Sequence, residues 1–114
     1  MPYVRLEVNV PLPDDVRDRV LSELSACVAA GTGKPEAVVQ ASVPGNVKML
    51  MAKSSEPTAH LEIKGIDLQE AHAKGLSASI CGLLSRELGI PGNRTYIAFA
   101  SYAGGMWGFD GGTL

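Results

Sequence analysis

Apolar and polar residues alternate from Val4 to Val10, with Val4, Leu6, Val8 and Val10 on one side and Arg5, Glu7 and Asn9 on the other. A period of two predicts a strand with one buried face. The stretch PLPDD, Pro11 to Asp15, breaks that alternation and supplies a helix start, with Asp14 or Asp15 as N-cap. Val16, Val20, Leu21, Leu24, Cys27 and Val28 then recur at helical spacing, and Gly31 or Gly33 stops the helix. Ala37 to Val43, AVVQASV, reads as a second strand.

The same order returns further on. His60 to Ile66 alternates, with Leu61 and Ile63 opposed to His60, Glu62 and Lys64. Asp67 and Glu70 have the spacing of a capping box. Leu76, Ile80, Leu83, Leu84 and Leu88 form a helical stripe that Gly89 and Pro91 end, and Thr95 to Ala100 is another strand. Leu6-Glu7-Val8 and Leu61-Glu62-Ile63 stand 55 residues apart, and Gly33-Lys34-Pro35 and Gly89-Ile90-Pro91 stand 56 apart. The chain is therefore one domain, residues 1–114, built from a duplicated β-α-β unit. A crossover helix predicts parallel pairing and a right-handed connection within each half. Side by side, the halves give a four-stranded mixed sheet with both helices on one face, an α/β chain in an α+β sandwich. Val47 to Met51 and the glycine-rich tail are candidates for short extra strands.

The face turned away from the helices carries Arg5, Glu7, Asn9, Gln40, Ser42, His60, Glu62 and Lys64. It is too polar for a second core and fits either a solvated face or a hydrated central channel. Met49 to Met51 and Met106 to Phe109 make awkward apolar edges on a monomer, which an oligomer would cover.

Composition narrows the function. With 46% hydrophobic and 19% charged residues the chain is an ordinary globular domain. A net charge of −2 and only 5% aromatics argue against nucleic acid as a partner. No apolar run is long enough for a membrane span and no export signal precedes the first strand, so the expected compartment is the cytoplasm. Cys27 and Cys81 are too few for a disulfide framework and read as buried thiols. His60 and His72 lack metal-ligand spacing with them, and the tail glycines precede no helix, so neither a metal nor a phosphate-bound cofactor is expected. Pro2 is tolerated at a strand start, where its missing N–H costs nothing. As a free N-terminus it would also be the one secondary amine among the residues.

Ser54-Ser55-Glu56-Pro57, Cys81-Gly82-Leu83-Leu84 with Glu87-Leu88, Arg94-Thr95-Tyr96-Ile97, and Trp107-Gly108-Phe109-Asp110-Gly111 occur in order, with Pro2 and Thr32-Gly33-Lys34-Pro35 ahead of them. Over its whole length the chain resembles the macrophage migration inhibitory factor family of the tautomerase superfamily. The resemblance implies the tautomerase fold and a homotrimer with an active site at each subunit boundary. It also implies a cofactor-free keto–enol tautomerase of phenylpyruvate- or dopachrome-like 2-keto acids and enols. Pro2, exposed once Met1 is removed, would be the general base; burial and nearby cations would lower its pKa towards neutrality.

By the same resemblance Lys34 would hold the substrate carboxylate; alone, it reads as an exposed loop lysine. Ile66 would give backbone contact and an apolar wall, and Tyr96 would arrive from the adjacent subunit. Trp107, Phe109 and Leu114 would form the side that accepts an aromatic ring. Lys64 and Gly65 stand where the best-known member has histidine and serine, so Lys64 either adds a second cation to the pocket or points into the channel. Ala98 replaces an asparagine, Tyr102 a methionine at the rim, and Val38 a tyrosine. The family's Cys-x-x-Cys falls at Thr58 to Leu61, here Thr-Ala-His-Leu, which excludes dithiol chemistry at that place.

The second reading is a cytokine-like interaction protein with a protein receptor or partner, weak or vestigial tautomerase activity, and release by the family's non-classical route. A ferredoxin-like regulatory module shares the repeat but gives no reason for Pro2, Lys34 and Tyr96 to occur together.

Overall fold

The first alternation becomes β1 (Tyr3–Val8), in which Val4, Leu6 and Val8 are fully buried. The computed structural model describes residues 1–114. β1 is followed by α1 (Asp14–Thr32), β2 (Gln40–Ser42), β3 (Ala59–Ile66), α2 (Glu70–Leu88) and β4 (Thr95–Tyr102). A two-residue hairpin of β5 (Gly108–Phe109) and β6 (Gly112–Thr113) closes the chain. The main sheet runs β2-β1-β3-β4. Pairing is parallel within each half, β1 with β2 and β3 with β4, and antiparallel where β1 meets β3. This is the duplicated architecture that the alternation and repeat predict.

Both helices pack on one face of the sheet. Val20, Leu24 and Val28 of α1 and Leu76, Ile80 and Leu84 of α2 are fully buried, and they close over Leu6, Leu61 and Ile63. Burying a side chain of that size contributes about 1.5–3 kcal/mol, so the helix-facing layer is the principal source of stability. Gly31, near the end of α1, lets the helices approach closely: a β-carbon there would fall inside the Leu76 side chain. Gly33 and Gly89 end their helices in the left-handed conformation, φ 72° and 66°, where a β-carbon is costly.

Several local expectations are corrected. β1 stops at Val8, not Val10, because the Asn9 side chain leaves the ladder to bond the 55–58 loop: its Nδ2 donates to the carbonyls of Ser55 and Glu56 and its Oδ1 accepts from the Thr58 N–H. The second strand is only Gln40–Ser42. Glu36–Val38 coils into a 3-10 turn, with the Val38 N–H donating to the Pro35 carbonyl and the Val39 N–H to that of Glu36. Pro13, not Asp14 or Asp15, is the cap residue of α1; the two aspartates lie in the first turn, where they complement the helix dipole. At α2 the cap is Gln69, whose N–H donates to His72 Nδ1 at 3.0 Å. Asp67 instead sits in a left-handed turn at φ 58°. Val47 to Met51 forms no strand, only isolated bridges at Asn46 and Met51.

The polar face bears Arg5, Glu7, His60, Glu62 and Lys64 as read from the alternation, with Tyr96, Ala98, Ala100 and Tyr102 continuing it on β4. Arg5 and Glu7 pair across it at 3.3 Å.

Candidate functional site

Pro2 is buried at the start of β1. Its carbonyl accepts from the Gln40 N–H at 3.0 Å, which extends the parallel β1–β2 pairing to the N-terminus. Because β2 begins there, the turn before it is carried alongside: Ala37 to Gln40 form one wall of a cleft of about 510 Å³ whose other wall is Trp107 to Phe109. Met1 and Pro2 lie between them. The lining holds no titratable side chain, so the chain's own amino terminus is the only ionisable group in the cleft. That amine is held below the ordinary value of 8.0, chiefly by burial and further by the positive charge of Lys34. Both effects disfavour the protonated form.

Lys34 follows the left-handed Gly33 that ends α1, and its N–H makes a long bond of 3.4 Å to Thr32 Oγ1. Neither Lys34 nor Lys64 is engaged in an ion pair. In the chain with Met1 present, the terminal amine belongs to Met1 and the Pro2 nitrogen is an amide, whose lone pair is delocalised into the carbonyl.

The tail wall is built without regular structure of any length. The Trp107 N–H donates to the Gly104 carbonyl at 3.1 Å, and the Leu114 N–H donates to the carbonyls of Gly104 at 3.1 Å and Trp107 at 3.2 Å. A β-carbon at Gly104 would come within 2.5 Å of the Leu114 carbonyl oxygen, so the chain end crosses that glycine too closely for any side chain.

The expected residues divide into two groups. Pro2, Trp107 and Phe109 meet in the cleft, and Lys34 acts on it electrostatically. Lys64 pairs with Tyr3 in the ladder and lines a separate hollow of about 210 Å³ with Glu62, Ala98 and Ala100. Ile66 is half-buried at the end of β3, opposite Tyr102. Leu114 secures the tail and lies outside the lining residues. Tyr96 is 64% exposed and sits opposite His60. Since Tyr3 aligns with Lys64 and Ala100, Tyr96 lies about 13 Å further along the sheet at ~3.3 Å per residue. It cannot serve the Pro2 cleft of its own chain.

Ala37, Val39 and Gln40 were not expected in the site. Their signal was the parallel pairing, which sets the second strand beside the N-terminus. A larger hollow of about 670 Å³ lies at the other end of β1, between Asn9, Lys48 and Leu50. The Asn9 amide there is consumed by loop carbonyls, and no cluster of ionisable groups faces it. The cleft at Pro2 is the better candidate.

The family model described as Macrophage migration inhibitory factor (MIF) matches residues 1–114. The chain is similar to the macrophage migration inhibitory factor homolog of Brugia malayi, 33% identical over 119 residues, covering 100% of this chain and 99% of that relative. It is also similar to D-dopachrome decarboxylase of Mus musculus, 34% identical over 104 residues, with 87% and 85% covered. Among solved structures, the macrophage migration inhibitory factor homologue from Prochlorococcus marinus matches with a TM-score of 0.90 and 34% identity over 97% of each chain.

Proposed function

Because the chain belongs to the macrophage migration inhibitory factor family, in the tautomerase superfamily, we propose that it is a cofactor-free keto–enol tautomerase of phenylpyruvate-like 2-keto acids. Its general base is the nitrogen of Pro2 after removal of Met1. The observation that carries this reading is the cleft itself: Pro2 lies in a largely apolar and aromatic lining that holds no titratable side chain, at a chain end where burial and Lys34 hold the Met1 amine below its ordinary pKa. A similar protein named D-dopachrome decarboxylase supports an enzyme acting on a ring-bearing acid.

The step requires little else. The Pro2 nitrogen takes a proton from C3 of the keto acid, and the C–H electrons form the C2–C3 double bond. The carbonyl oxygen gains the charge and is protonated to the enol; the reverse path returns the proton to C3. A base with a pKa near the working pH serves both directions. Lys34 pairs with the carboxylate, while Trp107 and Phe109 flank the ring and exclude water. Leu114 closes the hydrophobic side by fixing the tail, whereas Ile66 and Lys64 lie outside the lining of this cleft and take no part in the step.

Tyr96 completes the pocket from a neighbouring subunit of a homotrimer. Its distance from the cleft of its own chain supports this, as do the exposed Leu50, Met106 and Phe109. The second reading, a cytokine-like interaction protein with weak activity, draws on the Ala98 position, where a polar group is missing beside Tyr96.

The test is to follow enol–keto conversion of phenylpyruvate in preparations whose Met1-free fraction is known from intact mass. Activity proportional to that fraction supports the proline base. Equal activity with Met1 retained refutes it.

A further inference from the structure

Tyr102 stands outside the cleft but touches its wall. The rings of Tyr102 and Trp107 meet edge to face, with centroids 5.8 Å apart and planes at 67°. The two residues are held very differently. Tyr102 ends β4 and is fixed by the ladder opposite Ile66. Trp107 follows Gly104 and Gly105 and precedes Gly108, between a 3-10 turn at Gly104–Met106 and the β5–β6 hairpin. Backbone bonds to Gly104 and Leu114 place the Trp107 main chain, but the indole makes no hydrogen bond to protein. Only packing sets its rotamer, and the Tyr102 ring is the aromatic partner it has.

We propose that Tyr102 is a positioning residue that sets the cleft's preference for aryl over alkyl acids by holding the Trp107 indole as a flat wall beside Pro2. Edge-to-face contact is directional, so a tyrosine fixed to the sheet ties the indole of the tail to the sheet. A wall fixed before binding spares the ligand the cost of ordering it. The inference rests on the reading of the Pro2 cleft as the 2-keto acid site and deepens it to a specificity determinant.

Trp107 is the sole tryptophan of the chain, so its fluorescence reports the wall directly. The probe is 3-phenylpropanoate, which has the aryl and carboxylate groups but no keto group to tautomerise. The wild type is compared with Tyr102→Phe, which keeps the ring, and Tyr102→Met, which keeps apolar volume without it. Thermal melts confirm that each variant is folded. In Tyr102→Met the emission shifts to longer wavelength and the dissociation constant for 3-phenylpropanoate rises by about three- to tenfold, while that for the alkyl acid hexanoate is unchanged. Tyr102→Phe matches the wild type on every readout. An equal rise for both acids overturns the inference. Unchanged emission and affinity in Tyr102→Met overturns the inference, as does a wild-type tryptophan that does not respond to the probe. Turnover of phenylpyruvate is read separately. A wild type that binds with this Tyr102 dependence but does not tautomerise refutes the catalytic reading alone. One that turns over, with Tyr102→Met unchanged in binding, refutes the positioning role alone.

Discussion

The Gln40 N–H donates to the Pro2 carbonyl at 3.0 Å, so the residue proposed as base is also a rung of the sheet. A nitrogen on a proline ring, with its carbonyl fixed by a neighbouring strand, has few ways to move. Positioning of this kind lowers the entropy lost in reaching the reactive geometry.

The pH dependence follows from the two causes that act on the terminus. Burial and the Lys34 charge both disfavour the ammonium form, so the amine loses its proton below the ordinary 8.0. That shift is the Met1 amine's; acting on the Pro2 amine of the processed protein, the same two influences are expected to place the ascending limb of kcat/KM below the pH at which a free prolyl amine titrates. Lys34→Gln removes one cause and moves the limb towards higher pH. It also raises KM for phenylpyruvate about tenfold through loss of a charge-assisted carboxylate contact. Steady-state rates across pH 5 to 9 check both effects; a limb that stays in place excludes Lys34 from the electrostatics of the base.

Arg94 fastens the loop before β3 to the start of β4. Its Nε donates to the Pro57 carbonyl, Nη1 to that of Met51, and Nη2 to those of Ser54 and Glu56, all between 3.0 and 3.1 Å. A lysine cannot reproduce that planar fork. Arg94→Lys is expected to destabilise the fold by about 3–6 kcal/mol, counting two lost bonds from a charged donor at about 1.5–3 kcal/mol each, as measured by urea unfolding. A loss under about 0.5 kcal/mol would show that the loop does not depend on it.

Two helix glycines have opposite expectations. At Gly75 nothing lies within 4 Å of an added β-carbon, so Gly75→Ala in α2 stabilises by about 0.5–1 kcal/mol. At Gly31 the same gain in propensity is outweighed by collision with the fully buried Leu76, since overpacking costs about 1–3 kcal/mol. Gly31→Ala therefore lowers Tm while Gly75→Ala raises it. A rise in Tm for Gly31→Ala would refute the close approach of the helices.

Much of the fold was legible because its two periods are clean. Val4-Leu6-Val8 and Leu61-Ile63 alternate without interruption, and Gly33 and Gly89 end the helices where the stripes end. The second strand is shorter than its apolar residues suggest because Val38 and Val39 are adjacent: an apolar doublet has no period, and Pro35 starts a turn that consumes it. The caps were misplaced because residues of capping type were present at the right spacing. Pro13 and Gln69 took those places instead, and His72 supplied the acceptor that Glu70 was expected to provide. At the site, Trp107 and Phe109 were legible through resemblance alone, since their sequence spacing suits plain packing equally well. Ala37, Val39 and Gln40 became visible only through register, because their chemistry is bland and their place beside Pro2 depends on a strand pairing.

The central claim, that the Pro2 nitrogen is the base, is tested most directly by kcat/KM for phenylpyruvate tautomerisation by wild type and Pro2→Gly, both shown by intact mass to lack Met1. Glycine retains a terminal amine but loses the ring and the secondary nitrogen. The account predicts a fall of about 10²-fold, carried mainly by kcat. Undiminished activity in Pro2→Gly, or none in the fully processed wild type, would contradict it.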